Sequence, residues 1–320
     1  MTKARGQLIQ DVTTALEEAG FDLSSRCDVR PSCFDLVARK GEQLILVKML
    51  SNIDALTEDD AIALQLVAHF FNATPLIVGT KTRRGNLDPG VVYKRYGVST
   101  IAPPSLSSII AEQKMPREFI QRGGRFVAID GEKLREVRLS QSMTKEELAS
   151  CVEVSTRAIL AYEKDEIDVS KDVALELEKV LETDLIIPID VIGAKPRDQP
   201  PPVQRNPENI PDIEVRVNQF FERLGMKVLW SDRAPFHVAA KEDGPPLMSG
   251  VGSIKNWGLK KRVEIIKSVS QVTESDAVLI VEEGRAEETV AEIPVIRQLE
   301  LDEIDKPREL KKIISERSGN

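Results

Sequence analysis

Between Lys195 and Pro207 the chain reads Lys-Pro-Arg-Asp-Gln-Pro-Pro-Pro-Val-Gln-Arg-Asn-Pro, with four prolines inside seven residues. Each proline fixes its own φ and removes a backbone donor, so this stretch can neither continue a helix nor sit inside a sheet. It divides the 320 residues into a long N-terminal part and a C-terminal part of one small domain. The whole is too long for one ordinary core and suits domains of roughly 100 residues each.

The two ends of the chain repeat one another. In the first, Ile9, Val12, Leu16 and Ala19 recur at helical spacing and Gly20 follows as a C-cap. Phe34-Asp-Leu-Val-Ala then predicts a short strand, and Gln43–Leu50, nearly all apolar, a strand buried on both faces. Thr57 opens a helix to about Phe71, Pro75–Gly79 and Val98–Ala102 are further strands, and Ser105 is placed to cap a short helix. In the second, a helix over Val217–Leu224 ends at Gly225, Phe236-His-Val-Ala-Ala aligns with Phe34-Asp-Leu-Val-Ala, and Ala277-Val-Leu-Ile-Val with Thr74-Pro-Leu-Ile-Val. The first alignment has an offset of 202 residues and the second of 203. A helix over Gly258–Val269 corresponds to Thr57–Phe71, and Pro294-Val-Ile-Arg to Val98-Ser-Thr-Ile. The pattern predicts a diverged duplication of an α/β unit flanking a different central module.

Composition narrows the function classes. With 41% apolar and 30% charged residues, the chain is neither disordered nor collagen-like. No apolar run approaches the roughly 20 residues of a membrane helix, and the N-terminus has no secretory apolar core. A net charge of −8 means that any nucleic-acid contact rests on a local patch. Aromatic residues are only 4%, too few for an extended base-stacking platform. Three cysteines and two histidines suit neither a disulfide framework nor a zinc site, so the reading is cytoplasmic, with no cofactor and no metal.

The central module carries the most specific pattern. Gly131–Arg138 predicts a helix with Leu134 and Val137 inward. Thr144 and Glu147 form a capping box, and Leu148, Val152, Val154 and Ile159 are spaced to line the inside of a two-helix corner, with small Ala149 at the crossing. Ser155 caps the next helix, and Ser170 opens another with Val173, Leu175, Leu177, Val180 and Leu181. From Gly131 to Lys164 there are six acidic and six basic residues, so this face is not strongly positive. Arg117, Arg122, Arg125, Lys133, Arg135 and Arg138 are candidates for additional phosphate charge.

These residues resemble the lambda-repressor and Cro type of helix-turn-helix, through Leu134-Arg135, Arg138, Thr144-Lys-Glu-Glu-Leu-Ala149, Val154-Ser155, Ile159 and Tyr162-Glu163. Two departures stand out: Glu153 occupies the turn position usually held by glycine, and Asp165 a second such position after the next helix. The resemblance implies that Ser155, Thr156 and Arg157 lead a recognition helix into the major groove. Arg157 would read guanine through paired hydrogen bonds, Thr156 and Ala161 would face bases, and Thr144 and Lys145 would lie near phosphates.

Asp35 at the head of one strand and Lys48 on the next resemble the core of the restriction-endonuclease and Holliday-junction-resolvase superfamily. That chemistry needs two carboxylates on Mg²⁺ and a lysine beside the phosphate. Leu46 takes the place of the second acid, and Glu17 or Glu18 does not restore it. In the second copy His237, Met248 and Gly250 stand at the three places. The expectation is a nuclease-like fold without catalysis. Lys81-Thr-Arg-Arg-Gly85 and Tyr93-Lys-Arg95 are read as a basic loop that either meets phosphates or only solvates the surface. Across nearly its whole length the chain resembles a group of archaeal helix-turn-helix transcriptional regulators.

The expected architecture is multidomain α/β plus all-α: a non-catalytic restriction-endonuclease-like α/β domain over residues 1–115, a Cro-type helix-turn-helix domain over 116–194, a proline-rich linker over 195–211 and a second nuclease-like domain over 212–320. The expected function is a sequence-specific, DNA-binding transcriptional regulator acting as a homodimer on double-stranded DNA, with no membrane association. The flanking domains are free to meet a protein partner. A metal-dependent nuclease and a protein-binding adaptor are the alternatives.

Overall fold

The computed structural model describes residues 3–194, 211–252, 257–282 and 288–318. The proline-rich stretch expected as a linker falls on residues 195–210, outside the described residues. The chain divides into two compact units, one of Met1–Ala15, Leu50–Ala55 and Ile77–Val191, the other of Leu16–Met49, Leu56–Leu76 and Ile192–Asn320.

The N-terminal α/β elements are α1 (Lys3–Glu18), β1 (Asp22–Leu23), β2 (Leu36–Lys40), β3 (Gln43–Asn52), α2 (Glu58–Phe71), β4 (Thr74–Lys81), β5 (Val91–Arg95), β6 (Val98–Ile101) and α3 (Pro103–Glu112). Thr57 starts α2 as expected, its hydroxyl accepting the Asp60 amide at 3.1 Å, and Glu58, Asp59 and Asp60 complement the positive end of the helix. Helix α3 departs from expectation. It begins at Pro103, whose ring suits the first helical turn, with Ala102 at the cap. Ser105 therefore lies inside the helix, and its hydroxyl takes the Gly90 amide instead. Tyr93-Lys-Arg95, read as loop, is the end of strand β5, because Val91, Val92 and Tyr93 are all buried.

The central elements are β7 (Glu118–Gln121), β8 (Gly124–Ile129), α4 (Gly131–Ser140), α5 (Lys145–Cys151), α6 (Thr156–Tyr162), β9 (Val169–Ser170), α7 (Lys171–Leu181) and β10 (Ile186–Ile187). The helices pack as predicted on Leu134, Leu148, Ala149, Ile159, Leu177 and Leu181, but Leu175 is exposed because Ala174 and Leu177 set the inward face of its helix. The short strands were not legible beforehand. β8 adds Val127 and Ile129 to the same core and pairs with β7, β9 and β10, all antiparallel, and β7 runs parallel to β5.

The C-terminal elements are α8 (Asp212–Arg223), β11 (Lys227–Trp230), β12 (Val238–Lys241), β13 (Leu247–Gly252), α9 (Trp257–Thr273), β14 (Ala277–Val281), β15 (Thr289–Val290), β16 (Ile293–Arg297) and α10 (Pro307–Ser318). Their strand order is β11-β12-β13-β14-β16-β15, and the run β14-β16-β15 repeats β4-β6-β5.

The duplication holds at the level of single hydrogen bonds. Leu36 pairs with Val47, and Val238 with Ser249; Val37 pairs with Leu46, and Ala239 with Met248. Every partner is displaced by the same 202 residues. The Asp35 carboxylate accepts the Met49 amide at 2.7 Å, and at the equivalent place His237 Nδ1 accepts the Val251 amide at 2.9 Å. A carboxylate and a neutral imidazole thus satisfy the same donor.

Contacts between the second copy and part of the first follow an approximate two-fold relation within the second unit. Lys241 on β12 donates to the Phe70 carbonyl at the end of α2, and Arg39 on β2 donates to the Thr273 carbonyl at the end of α9. Arg39 and Lys241 are again 202 residues apart. Arg233 pairs with Asp59 and Asp60 on α2, and Asp28 with Lys261 on α9. Self-complementary contact of this kind is what a symmetric dimer uses, here held within one chain.

Burial, and secondarily the nearby Arg262 cation, pushes His237 down to about 4. An unfolded histidine titrates near about 6.5, so on acidification the unfolded chain takes up this proton first. The stabilisation is complete above about pH 6.5 and lost between there and pH 4. Unfolding followed in urea across this range is expected to show stability falling with pH, and His237→Gln to flatten the fall by up to about 1.4 kcal/mol per pH unit.

Candidate nucleic-acid interface

Helices α5 and α6 are each set by one hydroxyl. Thr144 accepts the Glu147 amide at 3.1 Å while the Glu147 carboxylate reaches back to the Thr144 amide at 2.8 Å, completing the predicted capping box. That bond holds Glu147 below the usual carboxylate range. Ser155 accepts the Ala158 amide at 3.1 Å and opens α6. Both glycine-like positions take the left-handed conformation despite their side chains, with φ of 54° at Glu153 and 52° at Asp165. Asp165 has a compensating role, since its carboxylate accepts the Gly131 amide at 3.2 Å. Gly131 has to be glycine here: a Cβ would lie 2.4 Å from the Tyr162 carbonyl oxygen.

The site turns on Arg138. Its guanidinium is buried and bonds the Glu163 carboxylate through Nε and the Met143 carbonyl through Nη1. One side chain on α4 therefore fixes the entry to α5 and the end of α6. Lys145 approaches the other Glu163 oxygen at 3.9 Å. Over this pair lies an open groove of about 520 Å³, lined by Arg135, Lys145, Lys164, Leu139 and Leu160.

The predicted contact residues cluster at the α5–α6 corner. Thr144, Ser155 and Arg157 are exposed, and Lys145, Thr156 and Ala161 half-buried. Thr144 and Ser155 spend their hydroxyls on caps, so their reach toward a ligand is through backbone position. Of the expected phosphate cations, three are committed elsewhere. Arg138 is in the buried pair, Arg125 bridges Asp88 and Glu118 at 2.9 Å each, and Lys133 donates to the Asp184 carbonyl. Leu160 and Lys164, which sequence reading passed over, join the groove because α6 and its end fold back onto α4. Their helical phase relative to Arg157 was the available signal.

The nuclease-like position is differently built. Asp35 is only 1% exposed, and its carboxylate meets Arg30 at 3.2 Å and the Met49 amide. The Lys48 ammonium is buried against the Ser32 carbonyl. Leu46 is buried beside them and Glu17 and Glu18 are exposed. A single carboxylate with its bonds already taken does not fit a Mg²⁺ site, and among the described residues no group of three His, Cys, Asp or Glu could hold a metal. Burial pushes the Cys33 thiol up to about 12 and raises Cys27 likewise.

A PD-(D/E)XK superfamily domain is matched over residues 5–116 and a helix-turn-helix family over residues 134–186. Full-length relatives carry the name "Putative HTH-type transcriptional regulatory protein". That of Thermococcus kodakarensis is 36% identical, covering 97% of this chain and 95% of its own. That of Pyrococcus furiosus is 37% identical, covering 97% of each, and that of Methanosarcina acetivorans 34%, covering 97% and 96%. The chain belongs to this archaeal family of helix-turn-helix transcriptional regulators. No solved structure matches it. Among the described residues no helix is long and apolar enough to cross a membrane.

Breaking a buried pair strands a charge, so Arg138→Met is expected to cost about 3–5 kcal/mol in denaturant unfolding, with Arg138→Met/Glu163→Leu recovering most of it. Glu153→Gly relieves a left-handed non-glycine residue and is expected to add about 1 kcal/mol to the same transition.

Proposed function

We propose that this family member is a sequence-specific regulator that reads double-stranded DNA with α6 in the major groove. The observation that carries this reading is the exposed Arg157 at the start of a helix whose orientation is locked by the buried Arg138–Glu163 pair. A guanidinium held on a rigid element can make the paired hydrogen bonds that distinguish guanine, worth about 1–3 kcal/mol against a wrong base. Thr156 and Ala161 lie on the same helix for base contact. Thr144, Lys145 and Ser155 line the approach, with Lys145 supplying phosphate charge.

In this reading residues 116–194 form the DNA-binding domain, 195–211 connect it to the last domain, and 1–115 and 212–320 are nuclease-like frames without catalysis. The committed bonds of Asp35 and Lys48 support the last point. The protein acts in the cytoplasm as a homodimer, its two recognition helices about 34 Å apart on a pseudo-palindromic site. The nuclease-like frames are available to a protein partner.

The test is selection from a random duplex pool at about 150 mM salt. One enriched motif with two half-sites near one helical turn apart is expected. Arg157→Ala should flatten the preference at one base position, whereas Lys145→Ala should weaken all sequences alike and lower the salt slope by about 1. Uniform loss for Arg157→Ala removes the base-reading role, and Mg²⁺-dependent shortening of the DNA, abolished by Asp35→Ala, would establish the nuclease reading instead.

A further inference from the structure

The first unit holds a second cationic surface, away from α6 in sequence. Two turns meet at one carboxylate. In the first, Thr82–Gly85, the Thr82 amide donates to the Gly85 carbonyl at 2.8 Å and the Thr82 hydroxyl accepts the Arg84 amide at 3.0 Å. In the second, Tyr96 and Gly97 link β5 to β6 with φ of 48° and 79°. Asp54 joins them: Oδ2 accepts the Arg83 amide at 2.8 Å, and Oδ1 accepts Arg95 Nη2 at 3.2 Å and Nε at 3.3 Å. The Arg83 amide, with Arg95 beside it, holds this carboxylate below its usual range.

The backbones of both turns are thus tied down while their side chains point outward. Lys81, Arg83 and Arg84 are exposed, and no salt bridge engages them among the described residues. Tyr96 is 52% exposed. Two-residue hairpins of this kind favour Asn-Gly, since both positions need positive φ, so a tyrosine here works against the turn's own preference. Strained side chains held at an exposed tip are a mark of function. In a chain of net charge −8, three such cations (Lys81, Arg83, Arg84) beside the Arg95–Asp54 pair are not a product of composition.

We propose that this surface is a second nucleic-acid contact, which grips the phosphates of duplex DNA through Lys81, Arg83 and Arg84, with exposed Tyr96 at the neighbouring turn as an added contact. Duplex DNA is the partner favoured because the same compact unit carries the helix-turn-helix. Strand β5 pairs with β7, β7 with β8, and β8 leads into α4, while Lys94 meets Asp168 beyond α6 at 4.0 Å. The contact is with backbone phosphate and carries no sequence information.

The test uses the full chain and a random-sequence duplex, so it is independent of what α6 reads. Affinity is measured against salt for the wild type, Lys81→Ala/Arg83→Ala/Arg84→Ala and Tyr96→Asn, with thermal midpoints in parallel. The triple variant is expected to have a salt slope shallower by about 2–3 and to bind about tenfold or more weaker at low salt. Tyr96→Asn should bind less tightly although its midpoint is unchanged or higher. The motif recovered from a random pool should be the same for all three proteins. An unchanged slope in the triple variant overturns the proposal, as does absence of random-duplex binding by the wild type. Equal dependence of single-stranded DNA or RNA binding on these residues overturns the duplex assignment. Absence of any enriched motif for the wild type, with the salt slopes changing as expected, would instead count against the reading of α6 alone.

Discussion

The arrangement of the helices in the central module turns on the Arg138 guanidinium. It is planar, always charged and presents several donors in a fixed fork. Buried between α4 and α6, it must have acceptors on both sides, and it finds them in Glu163 and the Met143 carbonyl. The cost of leaving either charge unpaired is what fixes the pitch of α6 relative to α4. Hydrophobic contacts alone, at Leu134, Leu148 and Ile159, would hold the helices together while allowing more slack in angle. Lys145 borders the same carboxylate, so the electrostatics that lock the fold continue directly into the open groove beside it.

In both flanking frames the group at the nuclease-like position makes structural bonds. In the first copy the carboxylate of Asp35 is consumed by Arg30 and by the amide of Met49. In the second, His237 takes the matching amide. What both copies preserve is the need of a buried N–H for an acceptor, which any uncharged or compensated acceptor of the right reach can meet. A Mg²⁺ site places a stricter demand, two carboxylates side by side, and Leu46 and Met248 at the second place do not meet it. The approximate two-fold contacts between the copies, carried by Arg39 and Lys241, place the partner surface of a symmetric pair inside one chain.

Most helices were legible because their signals are local. Thr57, Thr144, Ser155 and Ser170 are each followed by a run with helical periodicity, and each is found at a cap. The buried strands around Val47 and Leu279 were legible as short apolar runs. The strands β5, β7, β8, β9 and β10 were not. They are two to six residues long and none is buried along its whole length, and what makes them strands is a neighbour distant in the chain. For the same reason Arg125 and Arg138 were misread as phosphate cations. Their partners Asp88 and Glu163 lie 37 and 25 residues away, beyond any spacing rule.

By itself, then, the sequence determined the duplication, the helix-turn-helix and the residues that head α6, because capping, periodicity and a nearly constant offset are encoded over short windows. Only the tertiary structure decided which charges are spent and which are free. Arg138, Asp35 and Lys48 are closed off by burial and pairing, whereas Arg83, Arg84 and Arg157 stay exposed. Charge is a property of the residue, but its availability depends on whether folding brings an opposite group within hydrogen-bond reach, and that is settled by contacts between segments far apart in the chain.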